Sequence, residues 1–211
     1  MTIAFLDDRF ADDTADCVGL AAFGPGTLIS TTEGDLPVEW LASGDKVITR
    51  DHGAQPLRWI GYWRLSAQQL AATPALRPVL IEPNSFGPGA PDHPLALSRG
   101  QRIFVDGPEV QYYFGVDTAL AAAEHMTDVD AGFDAAQDFT YFHLLFDAHQ
   151  VIRANGLWTE SLFADDATLG LCPPPDICHD TTAHRCLAGW EARMLHQMRR
   201  PALSDAARRA A

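Results

Sequence analysis

Between Gly26 and about Ser161 the chain is divided into short apolar runs, separated by Gly, Pro and Asp at intervals of roughly 8–12 residues. That spacing leaves no room for a succession of long helices, so this stretch is expected to form short strands joined by turns. The strands expected are Thr27–Ser30, Lys46–Thr49, Pro56–Trp63, Val79–Ile81, Leu95–Leu97, Arg102–Val105, Tyr141–Leu145 and Gln150–Arg153. Leu57, Trp59 and Gly61 alternate with Arg58 and Ile60, the period of a half-buried strand. Asp51-His52-Gly53 and Asp106-Gly107 tolerate the positive φ that hairpin turns require. Glu82–Asp92, rich in Gly and Pro, reads as a loop. Only two segments read as helical. Asp117–Met126 is Ala-rich and follows a capping Val-Asp pair, and residues 187–211 suggest a terminal helix broken at Pro201.

A chain of 211 residues with 47% hydrophobic and 9% aromatic content can bury a core without disulfide staples, which excludes a disordered class. The 28 acidic and 15 basic residues give a net charge of -13, which argues against a nucleic-acid or anionic-membrane partner. No apolar run approaches the roughly 20 residues of a spanning helix. Asp7, Asp8, Asp12 and Asp13 stand where a secretory signal would carry basic residues and an apolar core. The four cysteines, Cys17, Cys172, Cys178 and Cys186, are too sparse for a disulfide scaffold, so a reduced cytoplasmic setting is expected.

Three blocks carry more specific information. The first is Phe23-Gly24-Pro25-Gly26-Thr27-Leu28-Ile29, followed by Pro37-Val38-Glu39-Trp40-Leu41-Ala42-Ser43-Gly44-Asp45-Lys46-Val47 and Thr49-Arg50-Asp51-His52-Gly53. The second is Leu95-Ala96-Leu97-Ser98-Arg99-Gly100-Gln101-Arg102-Ile103-Phe104-Val105. The third joins Tyr141-Phe142-His143-Leu144-Leu145-Phe146-Asp147-Ala148-His149-Gln150-Val151 to Asn155-Gly156-Leu157-Trp158-Thr159-Glu160-Ser161. In this order the blocks resemble the Hint modules of hedgehog proteins and inteins, and the third resembles their bacterial branch. The resemblance covers about 70% of the chain. It implies an all-β, horseshoe-shaped fold of two pseudo-symmetric β subdomains, with a short C-terminal helical tail. It also divides the chain into an acidic leader (1–17), loosely attached, a Hint domain (18–165), and a Cys/His-containing loop with a helical tail (166–211).

The implied chemistry is self-processing. In such modules the first residue attacks the preceding peptide carbonyl in an acyl shift, which only a thiol or hydroxyl can perform. Here that position is Ala22. A mid-chain hydroxyl and a His then supply oxyanion donors and a proton. Ser98 holds the hydroxyl position, but Gln101 stands where the His belongs and cannot shuttle a proton near neutrality. Splicing inteins end in His-Asn, whereas Glu160 and Ser161 occupy those positions here, as is usual for the bacterial branch. Catalysis is therefore expected to be impaired. If active, the module would cut Ala21–Ala22, using its own N-terminal segment as substrate, with Ser98 on the oxyanion side and neither cofactor nor metal. Cys17, five residues ahead of Ala22, is the nearest other nucleophile and lies outside the module.

Other constellations are weaker. Ser98, Asp147 and His149 could form a residual polar cluster, or Ser98 could simply end a strand with His149 at a partly exposed hairpin. His143, at an alternate position of a strong strand, reads as a packed imidazole with its nitrogen satisfied. In the stretch Cys172, Cys178, His179, His184 and Cys186, only the His pair has zinc-like spacing, so a disulfide or free thiols is the better reading. The carboxylates Asp7, Asp8, Asp12, Asp13 and Asp16 lack the spacing of a calcium loop. A protein-binding module using Trp40, Trp59 and Trp63 on the same scaffold is the alternative function.

Overall fold

A computed structural model of the chain describes residues 4–5, 19–127, 133–165 and 177–210, with side chains between Gly19 and Arg199. The elements, in chain order, are β1 (Ala4–Phe5), β2 (Leu28–Thr31), β3 (Gly34–Pro37), β4 (Lys46–Thr49), β5 (Gly53–Pro56), β6 (Trp59–Leu65), α1 (Ala67–Ala72), β7 (Val79–Ile81), β8 (Leu95–Leu97), β9 (Arg102–Asp106), α2 (Pro108–Phe114), β10 (Thr118–Ala122), α3 (Ala123–Met126), β11 (Phe139–Leu145), β12 (Val151–Ala154), β13 (Leu157–Glu160), β14 (Arg185–Cys186) and α4 (Gly189–Ala210). The protein is mostly β. A nine-stranded sheet runs β14-β10-β9-β13-β12-β2-β4-β5, with β3 paired to β2. A three-stranded sheet runs β1-β6-β11, and β7 pairs with β8. Phe23 bridges to both Leu97 and Phe142, joining the β7–β8 pair to the three-stranded sheet. The main core joins Ile29, Val47, Ile103 and Ile152 of the nine-stranded sheet to Leu97 of β8 and Leu144 of β11.

Several elements depart from the sequence expectation, each for a local reason. The run from Pro56 to Trp63 is two strands, because the chain changes sheet in between. Leu57 N–H donates to the Asp45 carbonyl of one sheet and Arg58 N–H to the Leu145 carbonyl of the other. Asp106-Gly107 is no hairpin. Gly107, at φ 118, precedes Pro108 at the first position of α2, where a proline's missing N–H costs nothing. The Ala-rich stretch expected to be helical from Asp117 is a strand from Thr118 to Ala122, and only Ala123–Met126 is helical. Strands β9 and β14 flank it, and Ala119, Leu120 and Ala121 are fully buried, so sheet pairing overrides a modest helix propensity. Helix α1, unexpected, opens on a reciprocal capping box between Ser66 and Gln69. Helix α4 runs on past Pro201 rather than breaking there. Within the leader, Ala4 and Phe5 pair in parallel with Gly61 and Tyr62, an attachment to the sheet rather than a loose end. No helix among the described residues is long and apolar enough to cross a membrane.

Candidate functional site

The segment Ala22–Gly24 threads between β8 and β11 as if it were one more strand. Phe23 N–H donates to the Phe142 carbonyl (2.9 Å), and Phe142 N–H donates back (2.8 Å). On the other side, Gly24 N–H donates to Ala96 O (2.8 Å) and Ser98 N–H to Ala22 O (3.0 Å). Immediately upstream, the Gly19 backbone crosses Gly100 so closely that a Cβ at position 100 would strike the Gly19 carbonyl. The chain on both sides of the Ala21–Ala22 bond is thus registered by backbone contacts alone.

Two side chains then hold the bond itself. Ser98, at the end of β8, accepts from Ala22 N–H at 3.1 Å and donates its own hydroxyl proton to the Leu20 carbonyl at 2.6 Å. His143, on β11, places Nδ1 2.9 Å from the Ala21 carbonyl oxygen. A carbonyl can only accept, so the Nδ1 carries the proton and donates it. His143 is 2% exposed, and burial pushes its pKa down to about 4, against a smaller upward pull from the Ala21 carbonyl. The imidazole is therefore neutral near pH 7. A cavity of about 20 Å³ lies against Ala22, Trp63, Ser98, Tyr141 and His143, with room for about one water. The Ala22 methyl packs with Leu65, Leu70, Leu76 and Tyr141, an apolar lining with no nucleophile of its own.

Ser98 therefore meets the amide nitrogen rather than the oxyanion side, which His143 occupies. Gln101 is fully buried and looks elsewhere: Nε2 donates to the Glu160 carbonyl at 2.6 Å, while Oε1 has no partner. His149 is buried too, not at an exposed hairpin position. Its Nδ1 accepts from Ala183 N–H (2.9 Å), leaving the proton on Nε2, which faces Ser161 O and Glu160 Oε2, each at 3.2 Å. The Glu160 carboxylate also takes Arg102 N–H at 2.8 Å and the Arg102 guanidinium at 3.0 Å. Asp147 is an exposed partner of Arg58 at 3.3 Å. Ser98, Asp147 and His149 consequently serve three separate places.

The late Cys/His stretch is only partly described, Cys172 and Cys17 lying outside the described residues, as do the leader carboxylates. His179 accepts from Ala164 N–H through Nδ1 and donates to Phe146 O through Nε2. His184 spans Thr118 Oγ1 and Asp51 Oδ2, each at 2.9 Å. Cys178 and Cys186 are free thiols. Among the described residues, no three His, Cys, Asp or Glu side chains gather as a metal site would require.

A Hint-domain family model matches residues 21–166. The chain belongs to the Hint-domain family. The match begins at Ala21, the carbonyl-side residue of the bond that His143 and Ser98 grip. Similar solved structures include a GSH-linked, splice-inactive variant of the AceL NrdHF class 3 split intein, at 11% identity and a TM-score of 0.40, covering 67% of this chain and 97% of that one. Another is a bacterial intein-like domain from Clostridium thermocellum, at 11% identity and a TM-score of 0.37, covering 66% and 97%. No curated protein matches. Sequence reasoning takes His143 for a packed imidazole with its nitrogen satisfied and does not place it at the site. It sits inside the Tyr141–Val151 block that carried the resemblance, but alternation marks it as inward-facing without saying which backbone group it meets.

Proposed function

We propose that this chain is a bacterial, cytoplasmic Hint module related to self-cleaving domains, with its own N-terminal segment in the substrate position and its cleavage chemistry disabled at Ala22. The observation that carries this reading is the Ala21–Ala22 peptide bond, held at its oxygen by His143 and at its nitrogen by Ser98. An acyl shift needs a thiol or hydroxyl on the residue after the bond, and a methyl group stands there. His143 donates to the oxygen of the intact amide and Ser98 accepts from its nitrogen. The free thiols of Cys178 and Cys186 suit a reducing compartment.

The test is the intact mass of purified full-length protein, followed over days with and without dithiothreitol. A single unchanged mass is expected. Thiol-accelerated loss of residues 1–21 would show that the bond is cut without a nucleophile at position 22, and this reading would be wrong.

A second reading, a protein-binding module, draws on one feature. Trp40 is 72% exposed, and its chain neighbours Glu39 and Leu41 line a groove of about 270 Å³ together with Ile60, Tyr62 and Phe142. Trp59, by contrast, is buried over Gly61, and Trp63 turns to the cavity at Ala22. Of the three tryptophans, Trp40 alone faces solvent in this way.

A further inference from the structure

We infer that His143 is the catalytic residue on the oxyanion side of the Ala21–Ala22 bond, so that the missing nucleophile, and not Gln101, is what silences the site. This rests on the reading of that bond as a self-processing site. Attack on the Ala21 carbonyl would drive negative charge onto its oxygen, 2.9 Å from His143 Nδ1. The donor is already placed, buried and fixed as a neutral Nδ1–H, and a preorganised donor of this kind gains strength as the charge develops. Its position is set by β11, whose next-door residue Phe142 pairs with Phe23 in both directions. His143 therefore cannot drift from the bond without breaking the sheet.

Gln101 makes no such contact. Its amide proton is committed to the Glu160 carbonyl, on β13. A His at this position belongs to the pattern the chain departs from; the oxygen already has His143 as donor, and the proton that such a His would deliver to the nitrogen falls to Ser98. The nitrogen has Ser98 Oγ at 3.1 Å.

Replacing Ala22 by Cys supplies the one absent atom. The sulfur forms a bond to the Ala21 carbonyl carbon, and the Ala21–Ala22 C–N bond breaks with its electron pair going to nitrogen. The thiol proton ends on that nitrogen, with Ser98 Oγ placed to pass it. The product is a thioester between residues 1–21 and the new side chain. Added dithiothreitol exchanges onto the carbonyl and releases residues 1–21 as its own thioester.

The experiment follows that release by mass in full-length Ala22→Cys, alone and combined with His143→Leu, His143→Gln or Gln101→His, with thermal melts to confirm folding. Ala22→Cys should cleave in dithiothreitol. Adding His143→Leu should slow release by about 10²–10³-fold, the usual effect of losing an oxyanion donor. His143→Gln, which keeps an N–H, should recover part of that loss, and Gln101→His should change little. Equal rates with and without His143 would overturn the inference while leaving the site reading intact. Cleavage only when Gln101→His is present would also overturn it. No cleavage in any combination would remove the site reading as well. Independently of cleavage, ¹⁵N imidazole shifts of the natural protein should report an Nδ1–H tautomer for His143; an Nε2–H tautomer would overturn the inference even if every variant misfolds.

Discussion

His143 ties the site to pH through stability as well as chemistry. Burial brings its pKa down to about 4 in the folded protein, whereas the unfolded imidazole titrates near 6.5. Between those values the unfolded chain binds the extra proton, so stability is complete above about pH 6.5 and falls as the pH drops toward 4. The loss attributable to this one ring approaches about 3 kcal/mol at the lower end. Urea midpoints of the natural protein should therefore fall between pH 6.5 and 4 more steeply than those of His143→Gln, which carries no titrating ring. Parallel curves would mean that the proton is taken up elsewhere.

The elements around the bond show how much could be read in advance. Lys46–Thr49, Val79–Ile81 and Leu95–Leu97 occur with the bounds their short apolar runs suggested, because punctuation and burial agree there. Thr118–Ala122 did not read as a strand, since alanine carries no preference strong enough to resist two flanking strands. The Ser66–Gln69 capping box that opens α1 is a local signal present in the sequence itself. Ser98 was placed at the site by its block, but its partner, the amide nitrogen, depends on how β8 lies beside Ala22. Gly100 follows Ser98 and Arg99, and the upstream chain at Gly19 fits only because position 100 lacks a Cβ. Gly100→Ala should push the Gly19–Leu20 backbone outward, disturb the Ser98 bond to Leu20 O, and cost about 1–3 kcal/mol. Faster hydrogen exchange at the Ala22 amide, which now donates to Ser98 Oγ, is the direct readout. Unchanged exchange would place the slack elsewhere.

Over the whole molecule, the family match ends at residue 166 while the structural unit does not. Leu187, Ala192 and Leu195 belong to the same buried cluster as Ile103, Val105 and Ala121. Strand β14 pairs with β10, and His149, His179 and His184 each hydrogen-bond between the strand-rich region and the segment that precedes α4. These ring contacts are directional and mostly buried, so they fix the segment while the apolar face of α4 supplies the area that stabilises it. A tail attached in this way cannot melt alone without stripping cover from the central sheet. Leu195 is fully buried, and Leu195→Ala should cost about 2–5 kcal/mol, as for a Leu deep in any core. The loss should appear as a lower midpoint of one unfolding transition, the same by tryptophan fluorescence and far-ultraviolet circular dichroism. Two separated transitions, or a change under about 1 kcal/mol, would instead make α4 an independent appendage and return the boundary of the folded unit to the end of the family match.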